Sequence, residues 1–394
     1  MTGIACRGVN HRTPHWLALA AIADLATGRG CDVSGLGGVN RKKRLYGRLY
    51  FFARTFILFS MDETQLLVLS EIAANGRGAT SRIAKRLGIT LQAASGRLRR
   101  LKNAGLIDSE GKGAGVRYRL RDLQKASTSY DLEGLEEDRV WRELVKPVVA
   151  DLPDNVQHIW HHGTTEMVNN AIDHSGGRTV YVEVHRNALF TDCAIADDGE
   201  GIFLKIQRAL GLYDPREAIL ELAKGKLTTD PEKHTGEGIF FSSRAFTQYD
   251  IASGHLHFMH DAGLNDLLVE RRGDASGTIV LMRLDNRAPT ALRAIFDKFA
   301  VPEEFTFAKT VVPVRLAQHE GEGLVSRSQA KRLTMRFEKF KTVILDFSDV
   351  EQIGQAFADE VFRVFQNAHP DTKLVPTGMN PYVKAMVSRV KSAR

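Results

Sequence analysis

Six short segments follow one another between residues 166 and 284: four motifs and two strands set between the first two of them. "EMVNNAIDHS" (166–175) reads as part of an amphipathic helix. Met167, Val168 and Ala171 lie toward the core, and the i, i+4, i+7 spacing puts Glu166, Asn170 and Asp173 on one polar face. After Gly176-Gly177, "RTVYVEVH" (178–185) alternates as a half-buried strand should. A second strand, "LFTDCAIA" (189–196), runs straight into "DDGEGI" (197–202). "HTGEGIFFSSRAF" (234–246) is a Gly-x-Gly that opens an apolar helix, and "SGTIVLMRL" (276–284) is a strand led by Gly277-Thr278. Singly, a polar helix stripe is solvated surface and a glycine pair is a turn. The ordered set is far more specific.

In that order the segments resemble the GHKL ATP-binding fold, shared by DNA gyrase, mismatch-repair ATPases, histidine kinases and anti-sigma-factor serine kinases. The match covers roughly residues 155–285. The resemblance implies ATP and Mg²⁺ as cofactors. It implies that Asn170 coordinates the Mg²⁺ and that Glu166 takes the general-base position. Asp197 would accept from the adenine amino group, with Gly199 and Gly201 letting backbone approach the base. Gly236 and Gly238 would let backbone N–H groups meet phosphate, and Thr278 would lie near the adenine end. The chemistry agrees with those roles. Mg²⁺ takes hard oxygen ligands, usually one or two from protein. A bare helix N-terminus is an anion site, and a carboxylate beside a metal can orient a water or hydroxyl for phosphoryl transfer.

Between the two glycine motifs the spacing predicts a lid: Asp214-Pro215 starts the helix "REAILELAKG". "KGKLTTDPEKH" then offers Lys224, Lys226, Lys233 and His234, read either as phosphate partners or as a solvated loop. His158, His161 and His162 hint at a metal, but no fourth ligand has zinc-like spacing. No phosphoacceptor-histidine hairpin precedes this region, which speaks against a self-phosphorylating histidine kinase.

Upstream, residues 61–125 predict a winged helix-turn-helix. Leu66, Leu69, Ile72 and Ala73 recur at helical spacing until Gly76. A second helix starts at Thr80 or Ser81 and stops at Gly88; a third starts at Thr90 and stops at Gly105. The third has a core face of Leu91, Ala94, Leu98 and Leu101 and an outer face of Gln92, Ser95, Arg97, Arg99 and Lys102. Glycines 111, 113 and 115 mark a hairpin tip, and Arg117, Arg119 and Arg121 alternate with Val116, Tyr118 and Leu120. The pattern resembles the winged-helix domain of bacterial transcriptional regulators. It implies duplex DNA as partner, with Arg117 and Arg119 on the wing; a winged helix that binds only protein is the alternative. Residues 126–150 predict a linker helix fit to pair two protomers as a homodimer.

Residues 301–394 alternate strands and helices, the mark of a small layered sheet. The phrase "LDFSDVEQIGQAFADEVF" resembles STAS-like domains, the fold of anti-sigma-factor antagonists. Phosphorylated members carry Ser or Thr at the strand-to-helix junction. Here the junction is Ile353-Gly354-Gln355-Ala356-Phe357, so a module that docks a protein partner or dimerises is expected instead.

Charge divides the chain. Residues 1–60 hold 9 Lys/Arg against 2 Asp/Glu and residues 61–125 hold 13 against 6, whereas the remainder is acidic by 7. A basic front is an electrostatic footprint for nucleic acid. Residues 1–60 lack periodicity and read as an upstream extension before a start at Met61, or as a disordered basic arm touching DNA or membrane. The apolar run after "RKKR" falls short of the roughly 20 residues that span a bilayer, so no membrane segment is expected. Three cysteines without metal-ligand spacing or an even framework point to a cytoplasmic setting.

The expected architecture is a multidomain α/β chain: a winged helix at 61–125, a GHKL sandwich at 151–300 with helices on one face of a mixed sheet, and a STAS-like unit at 301–394. The expected function is a bacterial DNA-binding regulator gated by Mg-ATP binding or hydrolysis. The alternatives are a serine/threonine kinase of the anti-sigma type and a non-hydrolysing nucleotide sensor.

Overall fold

The computed structural model describes residues 61–227, 236–261, 267–301, 306–318 and 323–392. Residues 1–60, with their basic-arm reading, and Lys233 and His234 lie outside the described residues.

The chain starts with α1 (Glu63–Ala74), α2 (Ala79–Leu87) and α3 (Leu91–Asn103), then a hairpin of β1 (Ile107–Glu110) and β2 (Arg117–Leu120). Asp62 and Gln65 close a capping box on α1, and Thr90 Oγ1 accepts from Ala93 N at 3.2 Å to start α3. The start of α2 differs from expectation. It begins at Ala79 behind Gly78 in the left-handed region (φ 63°) and has no side-chain cap, while Arg82 donates to the Arg77 carbonyl at 2.6 Å. Gly76 is needed for close approach: its carbonyl accepts from Tyr118 N at 3.1 Å, and a Cβ there would stand 1.7 Å from Tyr118 O.

Residues 126–150 are not one linker helix. β3 (Gln124–Asp131) pairs with the central sheet, and the helical run α4 (137–149) follows, its Trp141–Val145 turn π-helical. Val140, Trp141, Leu144, Val145, Val148 and Val149 are buried in the chain's own core, so this face is not available to pair protomers. α5 (Asp154–His174) comes next, burying Val156, Ile159, Trp160, Gly163, Thr164, Met167, Val168 and Ala171 as one stripe. Its Gly163 lets Phe246 in, since a Cβ would meet that ring at 2.4 Å.

β4 (Thr179–Arg186), β5 (Phe190–Asp197), α6 (Ile202–Leu210), α7 (Glu217–Lys224), α8 (Gly238–Ala245), β6 (Gln248–Asp261), β7 (Leu267–Asp285) and α9 (Leu292–Phe299) complete the central unit. The sheet order is β3-β4-β5-β7-β6. Every described pair is antiparallel, so the sheet is not mixed as expected. The hairpins β4–β5 and β6–β7 leave β5 and β7 to meet head to tail, and β3 pairs with β4 in the same sense. One face, through Val180, Val182, Val184, Ile195, Ile251 and Met282, packs into the core with α5. A smaller cluster of Ala194, Ala196, Ala252 and Ile279 forms on its own.

A short ladder of β8 (Ala300–Val301) and β9 (Thr306–Phe307) leads into the last unit. β10 (Lys309–Pro313), β11 (Thr342–Asp346) and β12 (Lys373–Thr377) form a parallel three-stranded sheet in that order. Around it lie α10 (Arg327–Thr334), α11 (355–368) and α12 (Pro381–Ser392). Ser326 and Gln329 close a capping box on α10. This unit docks within its own chain. Its core is continuous with that of the central unit, through Phe240–Phe307 at 4.5 Å and Phe307–Phe340 at 5.5 Å between ring centroids.

Candidate functional site

A cavity of 280 Å³ opens between α5, α6, α7 and the end of the sheet. It is lined by Glu166, Asn170, Asp197, Gly201, Gly236, Gly238 and Thr278, so seven of the eight expected site residues come together there. Glu166 and Asn170 project from one face of α5, a turn apart. Asp197 closes β5, and Thr278 opens the half of β7 that pairs with it.

Asp197 is buried, and its Oδ1 accepts from Gly199 N at 3.0 Å and Thr278 N at 3.2 Å. Burial disfavours its charge and pushes its pKa up to about 6, with the backbone N–H bonds only partly offsetting that. Thr278 Oγ1 in turn accepts from Ile202 N at 3.0 Å, tying the start of α6 to β7. Gly277 (φ 75°) has no room for a side chain, because a Cβ would stand 1.9 Å from Asp197 O. Gly238 is bare for the same kind of reason: a Cβ there would fall 1.9 Å from Glu166 Oε2.

Four of the residues singled out in the sequence do not line the cavity. Gly199 does not line the cavity; a Cβ on it would meet Ser175 O at 2.2 Å, so its smallness serves packing on the end of α5. Asp173 is exposed and off the cavity, although it shares a polar stripe with Glu166. Lys224 is no phosphate partner. It is fully buried and donates to Glu221 Oε1 at 2.5 Å and to the carbonyls of Arg332 and Met335 in the C-terminal unit. Lys226 likewise turns to Lys339 O, at 3.1 Å.

Sequence reasoning missed Lys205, His174, Leu222 and Leu227, all of which line the cavity. Lys205 Nζ donates to His174 O at 2.6 Å, a cation on the last turn of α5. Its signal was there to find: it stands four residues after Gly201, on the first turns of the helix that Asp-x-Gly-x-Gly introduces. His158, His161 and His162 gather no metal set; among the described residues no group of three or more His, Cys, Asp or Glu could hold an ion. Burial instead pushes His162 down to about 4.

The second surface is on the winged helix. α3 buries Ala94, Leu98 and Leu101, which turns Gln92, Arg99 and Lys102 outward and leaves Ser95 and Arg97 half-buried. Leu91 is a correction: it is 58% exposed, because it sits in the first turn and off the centre line of the buried stripe. Arg117 and Arg119 are exposed on β2. Lys102 Nζ donates to Ser109 Oγ at 2.7 Å, which braces helix against wing.

The winged unit is joined tightly to the sheet. Only Arg121, Asp122 and Leu123 separate β2 from β3; Arg121 N donates to Leu106 O at 3.0 Å and Leu123 N to Arg186 O at 2.7 Å. Ala188, in the β4–β5 turn, is buried in the winged-helix core. Arg186 at the end of β4 is itself buried and pairs with Asp151 through bonds of 2.5 and 3.1 Å.

Two family models match parts of the chain. A winged helix-turn-helix DNA-binding model matches residues 61–108, and a STAS-like domain of unknown function (DUF4325) matches residues 329–384. The chain therefore carries a winged helix-turn-helix at one end of the described residues and a STAS-like domain at the other. The winged helix supports a DNA-binding regulator. Neither match reaches the cavity. No curated protein matches the chain. Among the described residues no helix is long and apolar enough to cross a membrane.

Proposed function

We propose that this chain is a DNA-binding regulator whose affinity for duplex DNA, or whose assembly, is set by Mg-ATP held in the cavity. The observation that carries the reading is the convergence of Glu166, Asn170, Asp197, Gly201, Gly236, Gly238 and Thr278, spread over more than a hundred residues of sequence, on one 280 Å³ space. The donor set fits the cofactor. Oδ1 of Asp197 is taken by two N–H groups, which leaves Oδ2 to accept an amino group such as that of adenine. Gly236, with φ 70°, and Gly238 keep side chains away from the start of α8, as an anion requires. Asn170 Nδ2 lies 3.9 Å from Met167 Sδ, so its amide oxygen is the atom left to hold Mg²⁺. Bound Mg²⁺ would neutralise phosphate charge.

The route from cavity to DNA is short. β5 carries Asp197, pairs with β4, and the β4–β5 turn buries Ala188 in the winged helix. A change at the cavity end of the sheet therefore has a continuous path to the DNA-reading unit. Binding of duplex DNA by the full chain, measured with no nucleotide, with Mg-ATP and with a non-hydrolysable analogue, tests the proposal. Unchanged DNA affinity and oligomeric state across all three would sink it.

A second reading, phosphoryl transfer to water or to a protein hydroxyl, is favoured by the Glu166 carboxylate lying against Gly238, where the phosphate chain would end. Labelled ATP separates the two fates: free phosphate marks an ATPase, and protein-bound label marks a kinase.

A further inference from the structure

Helix α7 presents different residues to two neighbours. Leu222 lines the cavity. Glu217, Glu221 and Lys224, at i, i+4 and i+7, face the C-terminal unit and are all buried. Lys224 donates to the Arg332 and Met335 carbonyls at 3.1 and 2.9 Å, at the end of α10 where the helix dipole favours a cation. Arg332 pairs with Glu217 at 2.8 Å.

Arg336 reaches furthest toward the site. Its guanidinium donates to Glu221 Oε2 at 2.8 Å, to Gly225 O at 2.9 Å and to Lys226 O. Its own backbone is left-handed (φ 63°), a conformation a non-glycine residue holds only when its surroundings insist. The next residue after the gripped carbonyls is Leu227, which lines the cavity and donates its N–H to Gly236 O at 3.1 Å. The backbones meet closely there: a Cβ on Gly236 would stand 2.4 Å from the Leu227 carbonyl carbon. A side chain of the C-terminal unit thus holds the backbone one residue from the wall that abuts the glycine motif.

We propose that Arg336 is a positioning residue for the nucleotide site, and that the STAS-like unit sets how long nucleotide is retained by fixing the wall 222–227 against Gly236. The inference rests on the nucleotide reading above. A partner that pulls on the C-terminal unit would, by the same contacts, change nucleotide release.

The test uses the full chain. Release of a fluorescent N-methylanthraniloyl ATP with Mg²⁺ is followed by stopped flow, and amide exchange is followed across 222–227. The variants are Arg336→Gln, Arg332→Glu, and Arg332→Glu combined with Glu217→Arg. Arg336→Gln and Arg332→Glu should speed release by about tenfold or more, since the first lets go of the Gly225 and Lys226 carbonyls and leaves Glu221 to Lys224 alone, and the second sets a carboxylate against the buried Glu217. The charge swap should bring release back to within about twofold of the unmutated chain. If Arg336→Gln does not fold, the Arg332–Glu217 pair, whose Arg332 side chain is 25% exposed, decides the matter. Release unchanged in a chain that binds the probe overturns the positioning role alone. An unmutated chain that never binds the probe overturns the nucleotide reading and this proposal with it, whatever the exchange data show.

Discussion

The Glu166 carboxylate occupies the space in which a side chain on residue 238 would begin. Oε2 stands 1.9 Å from the ideal Cβ position of Gly238, at the first residue of α8. Two segments more than seventy positions apart are thereby made mutually exclusive in volume: the site can have the carboxylate or a methyl there, not both.

Gly238→Ala should therefore displace Glu166 and weaken Mg-ATP binding by about tenfold or more, the size expected when one close polar contact is lost. Thermal unfolding should move little, because Glu166 is only half-buried. Calorimetric titration with Mg-ATP beside a melting curve reads both. Glu166→Gln keeps the volume, so it should preserve binding while lowering any phosphate release.

Asp197 predicts a pH dependence with two opposite signs. Its folded pKa, about 6, lies above the ordinary 3.8, so the folded chain binds this proton more tightly than the unfolded chain does. The stability it lends is full below 3.8 and is lost as pH rises through about 6. Nucleotide affinity should run the other way. Below about 6 the proton goes to Oδ2, turning the acceptor proposed for adenine into a donor. Asp197→Asn should abolish both trends. It should raise the stability of the nucleotide-free chain at pH 7 by on the order of 1–3 kcal/mol, the scale of a shift of about two pKa units. Denaturant melts and titrations at pH 5, 6 and 7.5 check the pair.

On the winged helix, Arg99, Arg117 and Arg119 are exposed, and on the DNA-binding reading they are the candidates to meet phosphate. Replacing any one by Ala should lower affinity for all duplexes alike and flatten the salt dependence, by about 0.9 in the log–log slope per contact removed. Gln92→Ala should instead change preference between sequences, since it lies near the start of α3, which enters the groove first. Binding curves on a randomised duplex library at several salt concentrations distinguish the two.

Arg186, buried at the end of β4, is paired with the partly buried Asp151. Arg186→Met should cost about 3–5 kcal/mol by leaving Asp151 without its partner. Asp151→Asn with Arg186→Met should recover much of that loss. Chemical denaturation of the three variants measures it.

Much of this was readable in the order of residues. The cap at Thr90, the α5 stripe and the glycine junctions each announce themselves locally, because a cap or a period is satisfied within a few neighbours. β3 was not readable. "QKASTSYD" buries no side chain fully and offers only Gln124, Ala126, Thr128 and Tyr130 to its inner face, so an edge strand passed for a linker. The charged face of α7 was not readable for a different reason. Glu217, Glu221 and Lys224 at helical spacing look like solvated surface, and their partners Arg332 and Arg336 lie more than a hundred residues away.

The three-residue join between β2 and β3 bears on how DNA is found. Both of its ends are pinned by backbone hydrogen bonds, and the neighbouring β4–β5 turn is plugged into the winged-helix core. A reading head mounted this way has no slack with which to search for a groove. It must arrive already facing the duplex, at an azimuth dictated by the twist of the sheet edge. A half-site repeats its orientation only once per helical turn, about 34–36 Å. Any twist transmitted along β3 therefore changes the rotational phase of the head on the duplex.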